Sequence, residues 1–160
     1  MAVQINYTNS SFKNLSNLVL FVDENFTING LKKHISSTEF SFISDLLKNS
    51  DLKKKLLIFE INSKKKIFLV SVKKDLNTSD VESLGAEFYN HLNFDRKNQY
   101  FINIDTIDSS INDFASYFLH GIKLKSYEFN IYKSKKDKKS ILINVIGKKN
   151  QISSQNKLRF

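Results

Sequence analysis

The chain has 160 residues and a formal charge of +9, with 41% hydrophobic and 12% aromatic residues. That is enough to bury the core of one domain and leaves little for a second. It has no cysteine, no proline and only 4 glycines, which excludes a disulfide framework, a thiolate metal site, a thiol nucleophile and a flexible linker protein.

In chain order, "AVQINY" alternates and predicts an opening strand. "NLVLFVDE" is a continuous apolar run of strand length, which predicts a strand covered on both faces. "STEFSFISDLLKNSD" predicts a helix capped by Ser37 or Thr38, with Phe42 or Ile43, Leu46 and Leu47 at helical spacing. "KKLLIFEIN" and "KIFLVSV", joined by "SKK", predict a hairpin.

"LNTSDVESLGAEFYNHLNFD" predicts a helix capped by Asn77, Thr78 or Ser79, with Asp80 and Glu82 at its positive end. Val81, Leu84, Gly85, Phe88 and Leu92 form its apolar stripe. "QYFINID" predicts a strand. "SSINDFASYFLHGIKL" predicts a helix capped by Ser109 or Ser110, with a stripe of Ile111, Phe114, Ala115, Phe118, Leu119 and Ile122. Gly121 adjoins that stripe and is expected to let the helix approach its sheet closely. Tyr127 and Phe129 are expected to carry the apolar face out of the helix, with Tyr132 anchoring the exit and the lysines after it forming a solvated connection. "KSILINVIG" predicts a final buried strand. Mixed strands with interleaved helices predict an α/β, three-layer domain with helices on both faces of a mixed sheet.

The positive charge is almost all lysine; Arg96 and Arg159 are the only arginines. Readers of bases and phosphates use the planar fork of arginine. Scattered lysines favour a uniformly basic surface over a dedicated polyanion grip. No apolar run nears the roughly 18–20 residues that cross a bilayer. "MAVQINYTNSSFKN" shows no secretory pattern, and the absence of cysteine suits the cytoplasm.

Catalytic signals are missing. His34, His91 and His120 share no metal-binding spacing and read as surface or half-buried helix residues. Asp105 and Asp108 stand at a strand end before a helix cap, where turn chemistry accounts for them. The turns "VDENF", "VKKDLN" and "IDTIDSS" lack the glycines of a phosphate cradle, and no nucleophile elbow occurs. No catalytic, cofactor-binding or metal-binding residue is assigned.

One stretch resembles a known family. "GIKLKSYEFNIYKSKK", residues 121–136, is similar to the segment that closes the N-terminal domain of leucyl aminopeptidases, through Gly121, Leu124, Ser126, Tyr127, Phe129, Tyr132 and Lys133. "FISDLLKNSDLKKK" and "KIFLVSVKKDLNTSDVESLGAEFYNHL" resemble that domain's element order. Where the family commonly has a Gly-x-Gly-like turn, this chain has Ser71, Val72, Lys73 and Lys74.

The resemblance implies a macro-domain-like fold for residues 1–149, with residues 150–160 opening a helix toward a catalytic domain. It implies a role in assembly or access within a cytoplasmic homohexameric enzyme that removes N-terminal residues from peptides. It places two divalent metals, such as manganese or zinc, in the catalytic domain. The Asn-Thr-Asp-Ala-Glu-Gly-Arg motif of that domain is absent, so no catalytic residue transfers to this chain. The implied partners are the chain's own peptidase domain and further copies of itself, with no membrane. A weak nucleic-acid-binding module is the alternative. A macro-type domain for ADP-ribose is disfavoured by the missing glycine-rich loops.

Overall fold

The computed structural model describes residues 2–8, 16–73, 76–92, 99–107, 114–132 and 140–146. Six strands form one mixed sheet: β1 (Ala2–Thr8), β2 (Asn17–Asp23), β3 (Leu56–Asn62), β4 (Lys65–Val72), β5 (Gln99–Asn103) and β6 (Ser140–Ile146). Their spatial order is β1-β6-β5-β2-β4-β3. All neighbours pair in parallel except the β3–β4 hairpin, which is antiparallel with an irregularity between Glu60 and Asn62.

The three helices are α1 (Ser37–Leu47), α2 (Thr78–Tyr89) and α3 (Phe114–Tyr132). Two 3-10 turns, Asn29–Lys33 and Ile104–Thr106, were not foreseen in the sequence. Helices cover both faces of the sheet, as predicted. On one face, Val19, Phe21, Phe68, Val70, Tyr100, Ile102, Ile141 and Ile143 meet Val81, Leu84 and Phe88 of α2 and Phe114, Phe118 and Ile122 of α3. Its centre is aromatic. Phe68 meets Phe88 edge-on at 5.7 Å and Phe21 meets Phe118 edge-on at 5.2 Å, an arrangement ring quadrupoles favour. On the other face, Leu18, Leu20, Val22, Ile67 and Leu69 meet Ile43 of α1 and the segment carrying Phe26, Ile28, Leu31 and Ile35. Alternate residues of β2 therefore enter different cores, so the run reads as continuously apolar.

Local expectations needed five corrections. Ser36, not Ser37 or Thr38, caps α1. Its hydroxyl accepts from the Glu39 N–H while the Glu39 carboxylate accepts from the Ser36 N–H, a reciprocal capping box. In α1 only Ile43 is fully buried; Phe42 and Leu46 are exposed. At α2 the Asn77 cap holds, closing a box with Asp80, but Glu82 turns sideways to α3 rather than serving the helix end. The stretch 125–132 is not an exit: α3 runs on to Tyr132, and Tyr127 is 61% exposed rather than extending the apolar stripe. Ser109, Ser110, Ile111 and Asp108 lie outside the described residues.

Gly121 gives the fifth correction. It packs on α2, not on the sheet. A Cβ at Gly121 would meet the carbonyl oxygen of Glu82, and one at Gly85 would meet the carbonyl oxygen of Phe118. The two helices thus cross backbone to backbone at a pair of glycines. Ser126 lies buried farther along the same seam, next to Tyr89.

Candidate functional site

The sheet order locates the most site-like place in the fold. From β2 the chain leaves through α1 toward β3 on one side; from β5 it leaves through α3 toward β6 on the other. Adjacent strands whose connections diverge open a crevice at their carboxyl ends, where doubly wound sheets hold ligands. Here the two strands pair only through Leu18 with Phe101 and Val19 with Ile102.

Beyond that pairing, side chains replace the ladder. The Thr106 hydroxyl accepts from the Phe21 N–H at 2.9 Å and donates to the Asn103 carbonyl at 2.7 Å. Asn103 is buried. Its Oδ1 accepts from the Asp105 N–H at 3.0 Å, and its amide nitrogen lies 3.0 Å from Nδ1 of His34. On the β2 side, Oδ1 of Asp23 accepts from the N–H groups of Asn25 and Thr27 at 3.1 and 2.8 Å. The Ser71 hydroxyl donates to the Asp23 carbonyl at 3.4 Å.

Within this turn Phe26 has φ 54°, a left-handed conformation that costs a bulky residue roughly 1–2 kcal/mol. Burial of its ring and the bond from its N–H to the Asp23 carbonyl hold it there. Two side-chain bonds therefore cross between the β2 and β5 sides, Thr106 with Phe21 and Asn103 with His34, and the others set the turns beside them. Sequence reading singled out His34 and Asp105 only as turn and surface residues, and missed Asp23, Asn103 and Thr106. The available signal was Asn103 two residues before Asp105, an Asx-turn spacing.

Burial pushes the His34 imidazole below its ordinary range. Nearby Asp105 pulls the other way, and Lys33 reinforces the depression. The other histidines stand apart from this place. His120 of α3 reaches Glu82 of α2, with Nδ1 3.1 Å from Oε1, and His91 is exposed. Among the described residues, no three His, Asp or Glu side chains gather closely enough to hold a metal ion. Among the described residues, no helix is long and apolar enough to cross a membrane.

The end of the β3–β4 hairpin carries exposed lysines. Leu56 of β3 pairs with Val70 of β4, and the Ser71 N–H donates to the Lys55 carbonyl. Lys55 thus adjoins Ser71 at the end of the ladder, Lys53 and Lys54 lie in the turn before it, and Lys73 follows β4, all four lysines exposed. None of the four pairs with an acidic residue among the described residues.

The sequence matches no family model and no curated protein. Its structure is similar to that of a mutant tomato leucine aminopeptidase at a TM-score of 0.69, with 15% identity over 98% of this chain and 34% of that chain. It is also similar to the macrodomain of Thermus aquaticus DarG, at a TM-score of 0.53 and 8% identity, covering 89% of this chain and 99% of that one. The IBV X-domain matches at a TM-score of 0.57 and 7% identity, with 93% of each chain covered. This chain thus spans about a third of the aminopeptidase it matches. These likenesses show its fold: a macro-domain-like α/β domain, of the kind the leucyl aminopeptidase resemblance implied.

Proposed function

We propose that this chain acts as the N-terminal non-catalytic domain of a leucyl aminopeptidase, shaping assembly or access while the C-terminal peptidase domain of the full-length enzyme, carrying two divalent metals such as manganese or zinc, removes N-terminal residues from peptides. The observation that carries the reading is that 98% of this chain superimposes on 34% of a leucine aminopeptidase. The Gly121–Lys136 motif supports it independently, since Gly121 and Ser126 sit in the α2–α3 seam. In this reading the working assembly is a cytoplasmic homohexamer. Leu124 and Tyr127, 46% and 61% exposed on α3, offer it apolar surface.

The test is hydrolysis of a leucyl chromogenic amide with manganese or zinc, by this chain alone and mixed with a leucine aminopeptidase from the same cell. No turnover alone, with co-elution in the mixture, supports the reading. Chelator-sensitive turnover by the purified chain alone refutes it.

A second reading, binding of nucleic acid, is favoured by the edge formed by Lys53, Lys54, Lys55 and Lys73. Lysines act there as point charges, so binding would be weak, indifferent to sequence and steeply dependent on salt. Tight binding to one sequence at physiological salt contradicts it.

A further inference from the structure

We propose that His34 and Asn103 form a proton-sensitive latch between the 3-10 turn Asn29–Lys33 and the carboxyl end of β5, closed at neutral pH and opened when the imidazole is protonated. This goes beyond the peptidase-domain reading and does not depend on it.

The geometry is directional. Oδ1 of Asn103 is committed to the Asp105 N–H at 3.0 Å, which turns the amide NH2 toward His34. An NH2 group only donates, so Nδ1 of His34 must present its lone pair. The neutral ring then carries its proton on Nε2. A second proton would place N–H against N–H across 3.0 Å. Rotating the amide does not relieve this without cost, because it takes the acceptor away from the Asp105 N–H and uncaps the 3-10 turn Ile104–Thr106.

The charged groups that act on the ring come from both joined elements. Lys33, on the same turn, opposes protonation, and Asp105, across the junction, favours it. Burial of the ring is the largest opposition, and Asp105 offsets it only in part. The sign follows: His34 is easier to protonate in the unfolded chain than in the latch. The latch therefore contributes stability above the ordinary histidine range and loses it as pH falls through the folded value. Leu31 and Ile35, on either side of the latch, are buried in the core of that face.

The test is nuclear magnetic resonance on the full chain labelled with nitrogen-15. Long-range proton–nitrogen correlation at pH 8 reads the ring tautomer, and titration to pH 4.5 reads its midpoint. Amide exchange of Leu31, His34 and Ile35, corrected for intrinsic rate, reads the latch; their N–H groups are bonded within the turn. We expect the neutral proton on Nε2, a midpoint below 6.5, and loss of protection as the ring protonates.

His34→Gln keeps an acceptor that does not titrate, so its protection is expected to be the same on both sides of that pH. Asn103→Asp keeps an acceptor for the Asp105 N–H and offers an anion to the ring, so the midpoint is expected to rise above that of the parent. A neutral ring protonated on Nδ1 overturns the proposal. So does protection that ignores His34 protonation, or the same pH dependence in His34→Gln.

Discussion

Gly121 lies directly against the backbone of Glu82: a Cβ there would stand 2.7 Å from the Glu82 carbonyl carbon and 2.9 Å from its Cα. Gly85 makes the reciprocal approach: a Cβ there would stand 3.0 Å from the Phe118 carbonyl carbon and 3.2 Å from the Ile122 nitrogen. Helix α2 and helix α3 are thus held together by two absent side chains. The obstacles are backbone atoms, which cannot rotate away as a flexible side chain can.

This decides the sign of Gly121→Ala. Helix propensity favours alanine by about 1 kcal/mol. Forcing the helices apart costs about 1–3 kcal/mol and more where backbone must move. Net destabilisation is expected, larger for Gly121→Val, with Gly30→Ala, where nothing lies within 4 Å, inside about 0.5 kcal/mol of the parent. Denaturant melts of the three variants measure it. A stabilised Gly121→Ala protein contradicts the tight crossing.

Gly85→Ala is expected to destabilise in the same way, and the double variant by less than the sum of the singles. Once one methyl has parted the helices, the second meets a gap already open, and contacting residues couple by 0.5–3 kcal/mol on the order of magnitude seen in double-mutant cycles. Additive losses would mean that the two contacts act independently.

Glu39 closes the capping box of α1 and also meets Lys65 of β4 at 2.6 Å, with both side chains largely shielded. Burial alone would raise its carboxyl, but Lys65 and Ser36 outweigh it and hold the group below its ordinary value of 4.5. The stability from this site is present above that value and is lost as pH falls through the folded one. Glu39→Gln is expected to cost about 1–3 kcal/mol at neutral pH and to flatten the acid limb of the stability profile. Melts between pH 3 and pH 7 test both parts; an unchanged acid limb counts against the pairing.

Thr106→Val removes the acceptor of the Phe21 N–H while keeping the volume of the side chain. The orphaned N–H at the β2–β5 junction is expected to cost about 1–3 kcal/mol. Thr106→Ser, which restores the hydroxyl, is expected to recover most of it. Equal losses in the two variants would place the effect in the methyl group instead.

For the lysine edge, Lys53→Ala with Lys73→Ala is expected to lower the salt dependence of duplex binding by about one to two ions released, because each phosphate contact contributes a slope near −0.9. A titration at several salt concentrations measures the slope. No change would place any polyanion contact elsewhere on the chain.

Period and composition by themselves determined the elements. Continuous β-branched and aromatic runs specify strands such as β2 and β4 wherever they end up. The stripe of Val81, Leu84 and Phe88 can only be satisfied by an α2 lying on apolar surface. The layered mixed sheet followed, because helices that alternate with strands must cover its faces. Short polar residues carried no comparable signal. Asn103, Thr106 and Asp23 mean only "turn" in one dimension, since their hydrogen bonds reach partners as far as 85 residues away. Gly121 marked a close approach, but the sequence reading assigned it to the sheet instead of α2. Its partner, Glu82, is set by how two helices share one sheet face. The end of α3 was misread because exposed Tyr127 breaks the apolar period by which a helix is recognised in one dimension, while the helix itself runs on to Tyr132. Which strands lie side by side, and hence where the crevice and its His34–Asn103 bond fall, is a property of the closed sheet, because register and strand order are long-range pairings that no local stretch encodes.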